Sequence, residues 1–196
     1  MKILILGDVG TGKTALTQRL IQEAALANNT STVTVIDMAP ERREFEGIKV
    51  GGGLENPLRP NVRILKPVQG LHAPRVEGHN SQEVRHFAKL NASIIDRLLN
   101  HYVQNPTPVL FVNDLSMHLQ AGKPDLMMKS VLLSSTFVGN AYYGRSLEND
   151  QQSGVSQDER TGLDSLKTVM DRVLVLKSTQ SYEFLEISSA NRKRRV

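Results

Sequence analysis

Residues 7–14 read Gly-Asp-Val-Gly-Thr-Gly-Lys-Thr and directly follow the apolar run of residues 3–6, Ile-Leu-Ile-Leu. The apolar run predicts a buried strand and the periodic apolar residues that come next predict a helix, so residues 7–14 form the turn between them. Gly7, Gly10 and Gly12 permit positive φ angles and leave room for backbone N–H groups to surround an anion. The segment therefore requires a fold in which a strand ends, and a helix begins, at an anion-binding loop.

Lys13 and Thr14 complete the segment with the side chains that phosphate binding needs. Lys13 brings a mobile positive charge to the β and γ phosphates, Thr14 offers a hydroxyl to Mg²⁺, and the start of the helix directs its positive dipole end at the anion. The segment matches G-x-x-x-x-G-K-[ST] at every fixed position, and by it the chain resembles the P-loop NTPase superfamily. The resemblance implies a nucleotide and Mg²⁺, with the phosphates bound by Gly7, Asp8, Val9, Gly10, Thr11, Gly12, Lys13 and Thr14.

Strands and helices alternate along the chain, which predicts an α/β three-layer sandwich with a mainly parallel sheet. The spacing of apolar residues predicts helices over residues 14–27, 80–102 and 163–170, and strands over residues 3–6, 32–37, 109–113, 131–138, 172–177 and 182–187. Residues 38–78 are predicted to be irregular apart from a short strand at 62–65, and residues 146–162 are predicted to form a loop. We predict one nucleotide-binding domain over residues 1–190 and a basic tail over residues 191–196.

Asp114 follows the apolar strand of residues 109–113 directly. An apolar strand that ends in an acid is the form that the second motif of P-loop proteins takes, so the resemblance implies that Asp114 orders the magnesium shell. The alternative is that Asp114 caps a helix that begins at Leu115. We assign Asp114 as a magnesium ligand together with Thr14, and as a catalytic residue together with Lys13.

The resemblance also directs attention to the ends of two other strands. RecA-like ATPases commonly place an acid just after the second strand, where this chain has Asp37, Glu41 and Glu44. We select Glu41 as the catalytic residue that orients the attacking water. In such proteins a polar residue near the end of a later strand senses the γ-phosphate, and Ser135 or Thr136 fits that description.

The sequence favours ATP over GTP and leaves the reaction open. The chain has neither a D-x-x-G switch nor an N-K-x-D guanine motif, so the carboxylate that would accept from guanine is missing. We predict a magnesium-dependent ATP-binding protein that hydrolyses the β–γ phosphate bond, with Arg145 and Arg160 as candidate phosphate-reaching side chains. The alternatives are an ATP-dependent kinase, with its acceptor near residues 51–53 and a lid at residues 145–162, and a non-enzymatic module gated by nucleotide.

Composition excludes several other classes. The chain has no Cys, which rules out disulfides, Cys-based zinc sites and thiol catalysis. His72, His79 and His86 recur every seven residues, but the first two lie in or beside a loop, so we predict no metal site there. His118 lies one helical turn past Asp114 if a helix begins there; we expect a surface residue, with approach to the nucleotide site as the alternative. No apolar stretch is long enough for a membrane span, and the run before Gly7 is too short for a signal peptide, so we expect a cytoplasmic protein.

The net charge of +4 arises from the C-terminal end of the chain. The sequence has 24 Lys and Arg against 20 Asp and Glu, and the excess equals the four basic residues at 192–195. The remainder of the chain is therefore balanced. We expect a solvated tail, with contact to a protein or nucleic-acid partner as the alternative, and we leave a homo-oligomer open.

Overall fold

The computed structural model of the protein describes residues 1–27, 33–55, 62–178 and 181–185. Within them the strands are β1 (Lys2–Gly7), β2 (Val33–Asp37), β3 (Arg43–Phe45), β4 (Ile48–Val50), β5 (Val62–Leu65), β6 (Val109–Asn113), β7 (Thr136–Tyr142), β8 (Arg172–Ser178) and β9 (Ser181–Leu185). The helices are α1 (Lys13–Ala27), α2 (Pro74–Glu77), α3 (Ser81–Gln104), α4 (Ser116–Leu119), α5 (Pro124–Leu133) and α6 (Val155–Lys167).

Seven of these strands form one sheet in the order β5-β2-β6-β7-β1-β8-β9. Every neighbouring pair is parallel except β8 and β9, which are antiparallel. Strand β7 therefore lies between β1 and β6, and the carboxyl ends of these three strands share one edge of the sheet. The remaining strands, β3 and β4, pair with each other as a separate antiparallel hairpin.

Helices cover both faces of the sheet. Leu4 and Leu6 of β1 point into a large core that includes residues of α3, α4, α5 and α6. Ile5 points to the opposite face, where Ile21 of α1 packs against strands β2, β6 and β7. Because parallel strands must be buried on both faces, this arrangement explains their nearly continuous apolar sequences. The predicted α/β three-layer sandwich with a mainly parallel sheet is confirmed.

The long helix α3 begins where the sequence predicts. Asn80 accepts a hydrogen bond at its side chain from the Glu83 N–H (2.9 Å), and the Glu83 carboxylate accepts one from the His79 N–H (2.9 Å). These bonds satisfy donors at the start of a helix that would otherwise lack partners. Arg85 of this helix forms an ion pair with Asp158 of α6.

The predicted strand over residues 131–138 is wrong in its position. Residues 124–133 form α5, in which Met127, Ser130 and Val131 are buried at helical spacing. The strand begins only at Thr136 and continues to Tyr142. The carboxyl end of β7 therefore lies several residues later than the sequence predicts, which changes the polar residue that reaches the edge of the sheet.

Two segments predicted to be irregular contain regular structure. In residues 38–78 the hairpin of β3 and β4 turns at Glu46 and Gly47, both with positive φ (49° and 78°). Such φ values at both central residues define a tight hairpin turn, so the Glu-Gly pair was the missed signal. The predicted loop over residues 146–162 is also wrong from residue 155 onward, because α6 begins there.

Some predictions concern residues outside the described ranges. The basic tail over residues 191–196 lies there, as do Thr32 at the start of the predicted second strand and Ile187 at the end of the last one. The tail and the domain boundary at residue 190 therefore stay predictions. Among the described helices, none is both long and apolar enough to cross a membrane.

Candidate functional site

The glycine-rich loop of residues 7–14 connects β1 to α1 in a conformation that its glycines permit. Gly10 and Gly12 have φ angles of 75° and 88°, which residues with a side chain rarely adopt. A Cβ atom at Gly7 would lie 2.6 Å from Thr11 Oγ1 and 2.8 Å from the carbonyl oxygen of Leu176. The backbone path of the loop thus requires glycine at these three positions.

Hydrogen bonds within the loop hold the Lys13 ammonium close to the start of α1. Lys13 Nζ donates to the carbonyl oxygen of Asp8 (2.6 Å), and Thr11 Oγ1 donates to the same oxygen (2.8 Å). Burial lowers the pKa of Lys13, while the charges of Asp114 and Asp8 raise it. The first N–H groups of α1 have no acceptor within the helix and lie at the same end of the loop as the ammonium. Both are therefore available to an anion bound there.

The Asp8 carboxylate has a structural role that the sequence did not reveal. It accepts hydrogen bonds from the backbone N–H groups of Val9 (2.7 Å), Arg145 (2.9 Å) and Ser146 (3.3 Å). Burial raises the pKa of Asp8, but these hydrogen bonds outweigh that effect and hold the pKa below its usual value. Asp8 therefore fixes the segment after β7 against the glycine-rich loop.

A cavity of about 430 Å³ lies beside this loop at the carboxyl edge of the sheet. Its volume falls within the range of about 300–1,000 Å³ that small-molecule sites occupy. Its walls come from the glycine-rich loop, the ends of β6 and β7, the hairpin of β3 and β4, and the helices α2 and α4. Of the predicted phosphate-binding residues, those that line the cavity are Val9, Gly10, Gly12, Lys13 and Thr14, whereas Gly7, Asp8 and Thr11 shape the loop behind them.

Asp114 lines the cavity directly after β6. Its φ angle of 63° is in the left-handed region, and its backbone N–H donates to the side-chain oxygen of Asn140 (3.0 Å). The helix α4 has Leu115 at its N-cap position, with no side-chain capping bond. Burial raises the pKa of Asp114 to about 6, a rise that the charges of Lys13 and Arg75 oppose.

A chain of side-chain hydrogen bonds crosses the sheet below the cavity. Asn140 on β7 donates to Thr17 Oγ1 of α1 and to the side-chain oxygen of Asn113 (both 2.8 Å). Asn113 donates to Asp37 Oδ1 (2.8 Å), and Asp37 Oδ2 accepts from the Leu54 N–H (2.9 Å). The Asp37 carboxylate therefore holds the segment after the hairpin in place.

Asn140 replaces the predicted polar residue at the end of β7. Ser135 precedes the strand and Thr136 is its first residue, paired with Val109 at the amino end of β6. Both side chains therefore lie at the opposite edge of the sheet from the cavity, which Asn140 lines. The missed signal was a single amide in the otherwise apolar run of residues 137–141.

Arg75 also lines the cavity and was not predicted. Its side chain is 5% exposed and forms an ion pair with Glu159 of α6, which is equally buried. The guanidinium lies over the Tyr142 ring, 5.2 Å from its centroid, and Nη1 donates to the carbonyl oxygen of Leu147 (3.3 Å). The Arg75 guanidinium is thus a buried cation in the cavity wall that contacts Glu159, the Tyr142 ring and the Leu147 carbonyl oxygen.

The side chains of Glu41, Arg145 and Arg160, predicted to orient water or to reach phosphate, are not among those that line the cavity. Glu41 is exposed, although its neighbours Pro40 and Arg42 line the cavity. The Arg145 side chain is 91% exposed, and Arg160 stacks over Tyr143, 4.1 Å from the ring centroid. The role of Glu41 therefore stays a prediction. Arg75 lines the cavity, whereas neither predicted arginine does.

Two of the five histidines, His72 and His118, contact carboxylates. His118 is buried rather than at the surface, and its Nε2 lies 2.8 Å from Asp96 Oδ1 on α3. Burial lowers the pKa of His118. His72 pairs with Glu77 (2.7 Å), and in the described ranges no group of three or more His, Cys, Asp or Glu is arranged to hold a metal ion.

Comparison with known proteins leaves the family open. No protein-family model matches the chain, and no curated protein matches it in sequence. In structure the chain is similar to the flagellar accessory protein FlaH from Methanocaldococcus jannaschii, with 11% sequence identity and a TM-score of 0.44 over 94% of this chain and 77% of that one. A likeness at this level carries no argument about function, so the function is inferred from the site itself.

Proposed function

We propose that this protein belongs to the P-loop class of nucleotide-binding proteins and binds a nucleoside triphosphate in the cavity. More specifically, we propose a magnesium-dependent ATPase. The observation that carries the proposal is one wall of the cavity, where the glycine-rich loop and Lys13 meet the start of α1, with Asp114 lining the same cavity. Such a combination of backbone donors, a mobile cation and a carboxylate suits a triphosphate with its metal ion.

The charge of the cavity supports a polyanionic ligand. Among the described residues, four cationic side chains line it, Lys13, Arg42, Lys49 and Arg75, against the single carboxylate of Asp114. Glu159 offsets part of the charge of Arg75, since the two form an ion pair. The remaining positive charge favours a ligand such as a triphosphate over a neutral metabolite.

The residues present also fit Mg²⁺. Thr14 and Asp114 line one cavity and offer a hydroxyl and a carboxylate, oxygen ligands of the type that Mg²⁺ prefers. Mg²⁺ typically takes only one or two protein ligands and completes its shell with water and substrate phosphates. When bound, it would offset the negative charge on the β and γ phosphates.

In the proposed reaction, water attacks the γ-phosphorus. A bond forms from the water oxygen to that phosphorus, the bond to the β–γ bridging oxygen breaks, and its electron pair leaves with ADP. The proton passes to the phosphate product or to bulk water. Lys13 and the loop N–H groups hold the phosphates in line, and Glu41 remains our proposal for orienting the water.

Turnover of ATP tests this proposal directly. We expect purified protein to release phosphate from ATP with Mg²⁺ and to stop when EDTA removes the metal. The matched control is the Lys13→Ala variant, whose residual phosphate release measures the background from contaminants. Binding of a triphosphate analogue without phosphate release would reject hydrolysis and retain the nucleotide site.

The kinase alternative has one observation in its favour. Gly51 and Gly52, in the region predicted to bind an acceptor, do line the cavity. The predicted lid over residues 145–162 contributes only Leu147 among the lining residues. Phosphate transfer to members of a small-metabolite panel, with no release to water in their absence, would support the kinase over the ATPase.

We predict that the site prefers ATP to GTP. The chain lacks the acidic guanine motif, so the N–H donors of guanine would lose a partner that they have in water. Loss of about one such hydrogen bond corresponds to roughly tenfold weaker binding. Competition titrations of ATP and GTP against a fluorescent triphosphate would measure the ratio, and a clear preference for GTP would contradict the prediction.

A further inference from the structure

The ion pair of Arg75 and Glu159 joins α2 to α6 at the wall of the cavity. Both side chains are almost fully buried, at 5% and 4% exposure. A buried ion pair gives little stability compared with apolar residues of similar size, because both charges lose their hydration. Its presence in a cavity wall therefore calls for an explanation other than stability.

Arg75 retains hydrogen-bonding capacity beyond this pair. A guanidinium has five N–H donors, and here Nη1 donates to the carbonyl oxygen of Leu147 while Nη2 contacts Glu159. The Nε atom is buried and has no hydrogen-bond partner among the residues that the structure describes. An unpaired buried donor is unfavourable, and a bound anion would give the guanidinium of this cavity-lining residue a further hydrogen-bond partner.

The position of Arg75 indicates which part of a triphosphate it would meet. Arg75 lines the same cavity as Lys13 and Asp114. Asp114 and Lys13 are the residues proposed for the metal and for the β and γ phosphates. Arg75 thus lies near the terminal phosphate end of the site and on an element separate from the glycine-rich loop.

We infer that Arg75 is a catalytic residue that binds the terminal phosphate, and that Glu159 is a positioning residue that holds its guanidinium in the cavity wall. The inference rests on the proposed function and deepens it. Glu159 and the Tyr142 ring limit the rotation of the guanidinium, so that little freedom is lost when it meets the phosphate. In the transfer step Arg75 stabilises charge on the γ-phosphoryl oxygens without forming a covalent bond.

The double variant Arg75→Met/Glu159→Met tests this role without leaving a buried charge unpaired. Replacement of a buried ion pair by apolar residues is often neutral for stability, so the fold should persist. We expect the affinity for the β,γ-imido analogue of ATP to fall about 10- to 100-fold, as for loss of a charged hydrogen bond, with the affinity for ADP unchanged. Turnover should fall about 1,000-fold, as for loss of a phosphate-binding arginine.

A second ion pair to α6 provides the matched control. Arg85 of α3 pairs with Asp158, but neither residue lines the cavity. The variant Arg85→Gln/Asp158→Asn should keep the wild-type ratio of the two affinities and the wild-type turnover. A folded Arg75→Met/Glu159→Met protein that kept the same ratio as the wild type would overturn the inference.

The single variant Glu159→Gln decides the question if the double variant does not fold. It removes the charge that holds the guanidinium in the wall and keeps Arg75, so the preference for the ATP analogue over ADP should fall, but by less than in the double variant; an unchanged or higher preference would overturn the positioning role of Glu159. A wild-type protein that binds neither nucleotide would overturn the proposed function itself. Wild-type preference for the triphosphate without turnover would reject hydrolysis only, and the two affinities would still test Arg75.

Discussion

Lys13→Ala should abolish tight nucleotide binding and leave the fold intact. The side chain contributes the ammonium that lies on the glycine-rich loop, where Nζ donates to the Asp8 carbonyl oxygen (2.6 Å). Removing a cation that makes charged hydrogen bonds to phosphate costs about 2–3 kcal/mol, or roughly a 30- to 150-fold loss of affinity. Alanine is the best helix former, so the first position of α1 should tolerate it.

Titration of a fluorescent triphosphate analogue measures this effect. Lys129→Ala is the matched control, because Lys129 is an exposed lysine on α5 and does not line the cavity. Circular dichroism and thermal unfolding should show that all three proteins fold alike. Equal affinity in the wild type and in Lys13→Ala would reject the glycine-rich loop as the phosphate site.

The sequence predicts those elements whose local pattern has a single interpretation. The first four residues of β6 are an unbroken apolar run, and α3 combines an N-cap at Asn80 with apolar residues at helical spacing. Residues 131–133 were misassigned because Val-Leu-Leu suits the last turn of a helix as well as a strand. Only the burial of Met127 and Val131, four residues apart, decides for the helix.

The site was predictable where it is contiguous in sequence and not where it is assembled by the sheet. Gly12, Lys13 and Thr14 line one cavity because a single loop contains them all, and their binding of phosphate and metal stays a prediction. Asn140 and Arg75 come from distant segments and reach the cavity through the order of the strands and the burial of α2. Local periodicity contains no information on these long-range contacts. The sequence analysis therefore chose Ser135 or Thr136 as the polar residue of β7, and Arg145 and Arg160 as the phosphate-reaching arginines.

The second large effect is expected for Asp114→Asn, which should weaken magnesium-dependent nucleotide binding more than metal-free binding. A carboxylate acts on the cation and its water shell, and an amide of the same shape is a weak ligand for Mg²⁺. We expect the enhancement of binding by Mg²⁺ to fall about 10- to 100-fold, on the scale of a charged hydrogen bond. Titrations with Mg²⁺ and with EDTA give the two affinities for each protein.

The stability of the same variant separates this effect from unfolding. Burial raises the pKa of Asp114 from 3.8 to about 6, so the folded state disfavours the ionised form. The resulting loss of stability is absent below pH 3.8, develops as the pH rises towards 6 and is fully present above it. Asp114→Asn should therefore raise the free energy of unfolding of the metal-free protein at pH 7 by about 1–3 kcal/mol.

Asp37→Asn is the matched carboxylate control and should show the opposite pattern. Both Asp37 oxygens accept hydrogen bonds, from Asn113 and from the Leu54 N–H, and an amide NH₂ would face one of these donors. We expect a lower unfolding temperature with the enhancement by Mg²⁺ retained, because this carboxylate holds the segment after the hairpin. If the enhancement survived in Asp114→Asn and disappeared in Asp37→Asn, the magnesium role would move to the end of β2, and the hydrogen-bond chain through Asn140 would connect the metal to α1.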